Sequence, residues 1–428
     1  MTAVKPHPVE LTEIPVIQSR TLRTLMSSQV LGGVGVASGI AVGALMAAEI
    51  SGRDDLSGLA NTTQVLGAAL LTIPVAALMA ARGRRVGLVA AYLIGAVGAG
   101  LAIAAAVVGS FLLLLVGTAL FGASTTANSQ ARYAAADLAE PTRRGRDLSL
   151  VVWATTIGSV LGPNMIGPGA WMARGLGLPD LAGAWLFSAV GFLVAAVVLS
   201  VFLRPDPLLT ARDLAARTAV DQFGSTVPQP RPQGSVRHGA RTILATPAAL
   251  LGTAAVTGGH IVMVAVMVMT PLHMSHGGAE IEVIGFVISV HILGMFGLAP
   301  LAGYLTDAWG ARRVILLGVT ILVVACALAG TTVSGWSPGL LVGLFLLGLG
   351  WSCTMVAGSG LVAGAVPVHQ RSGVQGAADL IMGLSAAAGG ALAGLVVGSL
   401  GYGALCAAAA AVALALGAYT LTRTQSLA

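Results

Sequence analysis

Apolar residues come in long runs along this chain, and short polar stretches separate the runs. Most runs reach about 20 residues, the length that an α-helix needs to cross a hydrocarbon core of about 30 Å. The pattern predicts twelve membrane-spanning helices, at residues 22–49, 59–81, 86–107, 110–134, 148–171, 183–203, 245–272, 282–306, 313–331, 337–364, 373–397 and 402–422. The predicted fold class is therefore an all-α polytopic membrane protein.

A polar stretch divides the twelve spans into two sets of six. It contains the run STVPQPRPQGSVRHG and is rich in Pro, Arg, Gln and Ser. Such a composition cannot bury enough apolar surface to fold alone. We therefore predict a six-helix bundle over residues 1–204, a cytoplasmic linker loop over 205–242 and a second six-helix bundle over 243–428.

Lysine and arginine lie almost entirely on one side of the predicted membrane. The chain has 22 of them, and all but Arg53 and Arg174 fall near the termini or in loops on the same side as the termini. Because cytoplasmic loops carry the excess of Lys and Arg, both termini are predicted to be cytoplasmic. This topology accounts for the net charge of +6, so no nucleic-acid partner is expected.

Composition excludes several classes of function. Only 9% of the residues are charged, against about a quarter in soluble proteins. Lys5 is the only lysine, so no P-loop is present to bind ATP. The three cysteines lie in apolar runs and predict no disulfide framework. No nucleophile–base or carboxylate pair is recognisable, so we expect neither an enzyme nor a cofactor.

The two halves contain related segments after their second helices. They read Ala76-x-x-x-Ala80-x-x-Gly83-Arg84-Arg85 and Gly303-x-x-x-Asp307-x-x-Gly310-Ala311-Arg312-Arg313. A repeated six-helix unit is typical of secondary transporters, whose binding site lies between the repeats near the membrane midplane. The second segment resembles the cytoplasmic loop signature of the major facilitator superfamily. The resemblance implies the major facilitator fold, with Asp307 as an acid that pairs with arginines across a glycine turn.

Methionine and histidine recur on the seventh and eighth spans. Met263-x-x-x-Met267 and His291-x-x-x-Met295 resemble the paired motifs of the CcoA-like bacterial copper importers. The resemblance implies that these four residues handle copper, which would be cargo and not a resident cofactor. Thioether and imidazole groups suit Cu(I), and residues four apart share one face of a helix. Met263 and His291 fall about 13 Å inside their helices, near the midplane, so we predict a ladder of four ligands.

The outer end of the seventh span carries two more histidines. His273 and His276 could form a first capture site for the metal, or they could simply be solvated loop residues. The methionine pair also has an ordinary alternative, because methionine commonly fills gaps in helix packing. The sequence leaves these alternatives open.

Two sets of polar residues are candidates for other roles inside the membrane. Asp379 lies two turns inside the eleventh span and is a candidate for proton coupling. Its alternative is a structural hydrogen bond or a pair with Arg371. On the fourth span, Ser124, Asn128 and Arg132 recur every four residues and form one polar stripe. The stripe could hold an organic substrate or stabilise the bundle.

The sequence thus predicts a secondary-active transporter that works by alternating access in a bacterial plasma (inner) membrane. Copper import is the leading interpretation. The alternative is an organic-solute carrier, either a riboflavin-like importer or a drug/proton antiporter. The segment GSVLGPNMIGP, from Gly158 to Pro168, favours the alternative because it resembles the Gly-Pro signature of proton-coupled antiporters. A membrane sensor with a transporter-like body is a third possibility, which the absence of an appended signalling domain disfavours.

Overall fold

The computed structural model describes residues 11–53, 56–223 and 234–422. These residues form sixteen α-helices and no strand, which confirms the predicted all-α class. The helices are α1 (Ile14–Ser51), α2 (Leu59–Arg82), α3 (Arg84–Val108), α4 (Phe111–Ala136), α5 (Arg144–Leu161), α6 (Ile166–Gly175), α7 (Ala182–Phe202), α8 (Pro207–Phe223), α9 (Val236–Ala245), α10 (Pro247–His276), α11 (Ile281–Ile292), α12 (Ala299–Trp309), α13 (Ala311–Gly330), α14 (Pro338–Gly364), α15 (Arg371–Leu400) and α16 (Tyr402–Thr422).

Within the described ranges, twelve segments are long and apolar enough to span a membrane, as predicted. Two spans are interrupted, between α5 and α6 and between α11 and α12, and a third segment runs from α7 into α8 of the linker. The first break is a 3₁₀ turn that begins at Pro163, where proline removes a backbone donor. The second is a π-helical turn over Leu293–Gly297. Because the number of spans is even, α1 begins and α16 ends on the same side of the membrane, which we call the terminus side.

Small residues allow the helices of each half to pack closely. Gly67 on α2 lies against the backbone of Ala119 on α4, and Gly158 on α5 lies against the backbone of Gly33 on α1. A side chain at either position would meet backbone atoms. Close approach through glycine is how membrane helices gain packing contacts where lipid supplies no hydrophobic driving force.

The linker between the bundles contains two helices, α8 and α9. Val236, Gly239 and Ile243 form the buried face of α9, and Gly239 lies against the backbone of Gly373 on α15. Leu208 at the start of α8 is also buried. A helix as short as α9, with 10 residues, is marginal alone in water and gains its stability from tertiary packing. Composition alone predicted a loop here, because it contains no information about how a segment packs against the bundles.

The two halves meet mainly through two pairs of helices. α2 packs against α15, with Gly376 close to the side chain of Ala76. α5 packs against α12, with Gly303 close to Ser149 and to the backbone of Gly145. All five residues lie toward the terminus side, so the halves are in close contact there.

Candidate functional site: a cavity between the two halves

A cavity of about 570 Å³ lies between the halves, bounded by α2 and α4 on one side and by α10 and α15 on the other. Apolar residues of α2, α10 and α15 form most of its wall. Its polar lining residues are Asn61, Thr62, Gln64, Thr72, Thr125, Thr126, Ser129, His260 and Asp379. An apolar wall with a few placed polar groups is the usual lining of a small-molecule site, and the volume lies in the usual range of about 300–1,000 Å³.

The terminus-side end of the cavity is closed by charged and amide side chains from both halves. The guanidinium of Arg132 donates to Asp379 at 2.5 Å and to the hydroxyl of Ser359 at 3.1 Å. The side-chain amide of Gln130 donates to the other carboxylate oxygen of Asp379 at 2.7 Å. Asp379 is therefore held by two donors from α4, and Arg371, one of its possible partners from the sequence, lies against Asp137 instead.

A second buried arginine extends this network toward the terminus side. Arg84 is fully buried and donates to Asp137 at 2.7 Å, to Gln130 at 3.2 Å and to Gln375 at 2.5 Å. Arg371 donates to the backbone carbonyl of Asp137 and lies 3.6 Å from its carboxylate. Buried charges are tolerated in an apolar interior when they are paired and hydrogen-bonded. The network meets that requirement and joins α3 and α4 to α15.

Burial along the cavity indicates where it opens. Asn61 and Thr62 line its end near the start of α2 and are exposed. Thr72 and Asp379 line its other end and are buried. The hydrogen bonds that described residues make between the halves also lie on the terminus side. The structure is therefore closed on the terminus side, and its cavity faces the opposite side.

The loop signature contributes to this closure in an unexpected way. Asp307 accepts hydrogen bonds from the backbone N–H groups of Gly145 at 2.7 Å and Arg146 at 2.8 Å. These groups lie at the first turn of α5, where a carboxylate interacts favourably with the helix dipole. Arg312 donates instead to the carbonyls of Thr420 and Leu421 on α16. The expected pairing of Asp307 with arginines is thus replaced by capping of a helix in the other half.

The rest of the loop signature forms the turn between α12 and α13. Gly310 has a φ of +86°, a conformation that glycine adopts at little cost. Arg313 follows in the first turn of α13. In the first half, Gly83 occupies the equivalent turn with a φ of +90°. Arg212 of the linker donates to the carbonyl of Ala80, the residue that replaces the acid there.

The polar stripe predicted on α4 does not form the cavity wall as a unit. Ser124 donates to the carbonyl of Phe121 in its own helix, and Asn128 accepts from the hydroxyl of Tyr92 on α3 at 2.6 Å. The neighbouring residues Thr125, Thr126 and Ser129 line the cavity instead. Nearly every face of this part of α4 is polar, so spacing alone did not identify the correct face.

His260 is the polar residue of the methionine-rich seventh span that lines the cavity. It lines the wall together with Val264 and Val268, each one turn further along α10. Its Nδ1 atom accepts a hydrogen bond from the indole Nε1–H of Trp351 on α14 at 2.9 Å. The sequence offered no signal for this pair, because 91 residues separate its members.

The four predicted copper ligands lie beside the cavity, in the second half. Met263 and Met295 are buried in one hydrophobic cluster, and Met267 packs at its edge. None of the four residues is among the cavity-lining residues. His291 is fully buried, and its Nδ1 atom lies 2.7 Å from the carbonyl oxygen of Leu344. Its Nε2 atom is buried and has no hydrogen-bond partner among the described residues.

The two histidines proposed as a capture site differ in their surroundings. They lie in the last turn of α10, not in a loop. His276 is exposed, whereas His273 is buried and its ring stacks on Tyr402 with centroids 4.1 Å apart. The structure therefore leaves His276 as the more accessible of the two. Among the described residues, no three His, Cys, Asp or Glu side chains converge as a metal site.

Twelve segments that could span a membrane, with a cavity between the two halves of the described chain, are the architecture of a membrane transporter. Residues 24–281 and 261–427 match the sequence profile of the Major Facilitator Superfamily. This chain belongs to that superfamily, and it is a transporter rather than an enzyme.

Known proteins resemble this chain over nearly its whole length. It is 33% identical to the uncharacterised MFS-type transporter YddS of Bacillus subtilis, over 94% of this chain and 90% of that protein. It is 27% identical to the riboflavin transporter RfnT of Brucella anthropi, over 90% of both chains. Among solved structures, the proton:xylose symporter XylE superposes with a TM-score of 0.73 at 13% identity, over 96% of both chains. At that identity the likeness concerns the fold alone.

Proposed function

We propose that this transporter carries a planar, hydrogen-bonding organic solute of the riboflavin kind across a bacterial plasma membrane. The cavity between the halves is the observation that carries the proposal. Its volume of about 570 Å³ suits a drug-sized ligand, whereas a single water occupies about 30 Å³ in the liquid and a bare metal ion needs no more room than that. The 27% identity to a riboflavin transporter supports the same class of solute.

The lining of the cavity fits such a solute. Apolar side chains of α2, α10 and α15 offer a surface for a flat ring system. Amide and hydroxyl groups of α2 and α4, including Asn61, Gln64 and Ser129, offer hydrogen-bond partners for its polar edge. Among the described lining residues, a positively charged solute would meet one carboxylate, that of Asp379, which Arg132 already neutralises. The cavity therefore favours a neutral or weakly anionic solute.

Asp379 is the residue that we propose to couple transport to protons. Its carboxylate lines the cavity and also holds the terminus side closed through Arg132 and Gln130. Protonation removes the negative charge from this contact between the halves and weakens it. A proton taken up from the cavity would thus favour opening on the terminus side. If the termini are cytoplasmic, as the basic residues predict, the solute moves inward.

Riboflavin uptake tests the proposal directly. The protein is reconstituted in proteoliposomes, and accumulation of radiolabelled riboflavin is measured with and without an inward proton gradient. Ala387→Trp places an indole in the cavity wall of α15 and should abolish uptake. Leu395→Trp is the matched control, because Leu395 lies on the same helix and is exposed. No riboflavin uptake by the folded wild-type protein would refute the proposal.

Copper is a second candidate cargo, and His291 supports it. Because a carbonyl oxygen only accepts, the ring of His291 must donate through Nδ1 to Leu344, which leaves Nε2 as a free lone pair. An unprotonated imidazole nitrogen is what Cu(I) requires of a histidine ligand. A π-helical turn begins two residues later and includes Met295, and such turns are frequent at functional sites. Copper content of cells that overproduce or lack the protein tests this candidate.

A further inference from the structure

Trp351 fixes the hydrogen-bonding state of His260 at the cavity wall. The indole Nε1–H can only donate, so the Nδ1 atom of His260 must accept and carries no proton. A neutral imidazole has one N–H group. That proton is therefore on Nε2, and the ring of His260 is held as the Nε2–H tautomer.

Trp351, which orients the ring of His260, is itself held in place by packing. Trp351 is only 5% exposed and packs edge-on against Phe296, with ring centroids 5.5 Å apart. The rings of His260 and Trp351 are tilted by 43°, with centroids 6.1 Å apart. The indole N–H thus has a fixed direction, and the imidazole is oriented by it. Second partners of this kind commonly set both the tautomer and the direction of a functional histidine.

The Nε2–H group of His260 is available to a ligand. His260 lines the cavity, and it makes no hydrogen bond through Nε2 to any other described residue. The charged groups of the cavity floor, Arg132 and Asp379, satisfy each other. Within the described part of the cavity wall, the Nε2–H group of His260 is thus a preoriented hydrogen-bond donor without an acceptor.

We propose that the Nε2–H group of His260 selects solutes that present a hydrogen-bond acceptor, a carbonyl oxygen or an unprotonated ring nitrogen, to α10. This inference rests on the proposed function, and it identifies the group of the solute that the site recognises. The pyrimidinedione edge of a flavin has carbonyl oxygens of this kind. Trp351 is a positioning residue, because it acts on the solute only through the ring of His260.

Uptake kinetics with two flavins test the role of His260. His260→Leu should raise the KM for riboflavin about fivefold, the usual order for one lost hydrogen bond, with little change in maximal rate. Thioriboflavin has sulfur in place of one ring carbonyl oxygen. The wild type should have a higher KM for thioriboflavin than for riboflavin, whereas His260→Leu should have similar KM values for both. His260→Gln keeps an N–H donor and should recover much of the affinity, which separates donation from packing.

The tautomer provides a readout that does not depend on uptake. In ¹⁵N-histidine-labelled protein, the His260 signals are assigned by their loss in His260→Gln and should report Nε2–H. Trp351→Phe should give a mixture of tautomers and a KM between those of wild type and His260→Leu. Observation of Nδ1–H in the wild type, or an unchanged KM for both flavins in His260→Leu, would overturn this inference alone. Failure of the wild-type protein to carry riboflavin would instead overturn the proposed function.

Discussion

Arg132 on α4 and Asp379 on α15 form an ion pair of 2.5 Å that joins the two halves at the floor of the cavity. Both side chains are almost fully buried, and 247 residues separate them. The same carboxylate faces the cavity where a solute would lie. One interaction therefore connects the occupancy of the site with closure of the terminus side, which is the connection that alternating access requires.

Removal of the charge on Asp379 should make transport less sensitive to pH. In the wild type, low pH on the cavity side protonates the carboxylate, weakens its bond to Arg132 and should speed uptake. Asp379→Asn cannot take up a proton, so its rate should vary little over the range of pH in which the wild-type rate changes. The measurement is initial riboflavin uptake at a series of external pH values. An unchanged pH profile would leave Asp379 a purely structural residue.

The same substitution should also lower stability. Asp379→Asn leaves the guanidinium of Arg132 buried without a negative partner, and breaking a buried ion pair typically costs about 3–5 kcal/mol. The double variant Arg132→Gln/Asp379→Asn removes both charges and should recover much of the lost thermal stability. Thermal unfolding in detergent compares the three proteins. Equal stability of all three proteins would show that the pair contributes little.

Loss of the Asp307 cap should loosen the terminus side. Asp307→Ala removes both hydrogen bonds to the first turn of α5, and loss of such a cap costs about 1 kcal/mol, or about fivefold in an equilibrium constant. Asp307→Asn keeps an oxygen acceptor and should have a smaller effect. Glu140 and Trp309 are exposed residues of different halves. The distance between spin labels at these two positions reports how far apart the halves lie on the terminus side. Identical distance distributions in all three proteins would contradict a role for the cap.

Labelling from each side of the membrane should establish the orientation. Thr218 on α8 and Ser275 at the far end of α10 are exposed and lie on opposite sides of the membrane-spanning region. The native cysteines are buried, so their background labelling should be low. In intact cells, an impermeant maleimide should label Ser275→Cys and not Thr218→Cys. The reverse pattern would place the termini outside and overturn the topology predicted from the basic residues.

Methionine substitutions should separate the two candidate cargoes. Met263→Leu, Met267→Leu and Met295→Leu keep nearly the same volume, a change that usually costs less than about 1.5 kcal/mol in a core, but remove the sulfur. Because these residues lie off the cavity wall, riboflavin uptake should stay close to the wild-type rate. If copper is cargo, its accumulation in cells should fall in each variant and also in His291→Leu.

Met269→Leu is the matched control for these methionines. Met269 packs against the same hydrophobic cluster as Met263 and Met267 but falls outside the predicted ladder. Its substitution should leave copper accumulation unchanged. An equal loss in this control would indicate a packing effect, and no loss in any of the four ladder variants would refute copper transport through this ladder.

The number and position of the membrane spans follow from the sequence alone. The twelve predicted spans correspond to the twelve spans of the structure, with α1 beginning eight residues earlier than expected, at residue 14 rather than 22. The signal is strong because a run of about 20 apolar residues has few alternatives: inside a bilayer its backbone groups must be satisfied within a helix. The repeated loop segment of the two halves can likewise be recognised from the sequence alone.

Tertiary structure decided which face of each helix meets the cavity. In soluble proteins, hydrophobic periodicity marks the buried face, but a membrane helix is apolar toward lipid and toward its neighbours, so that signal is weak. For this reason the sequence offered the stripe of Ser124 and Asn128 as one candidate for the site, whereas Thr125 and Ser129 line it. The partners of Asp379 and His260 lie on helices distant in sequence, and only the packing of the two halves brings them together.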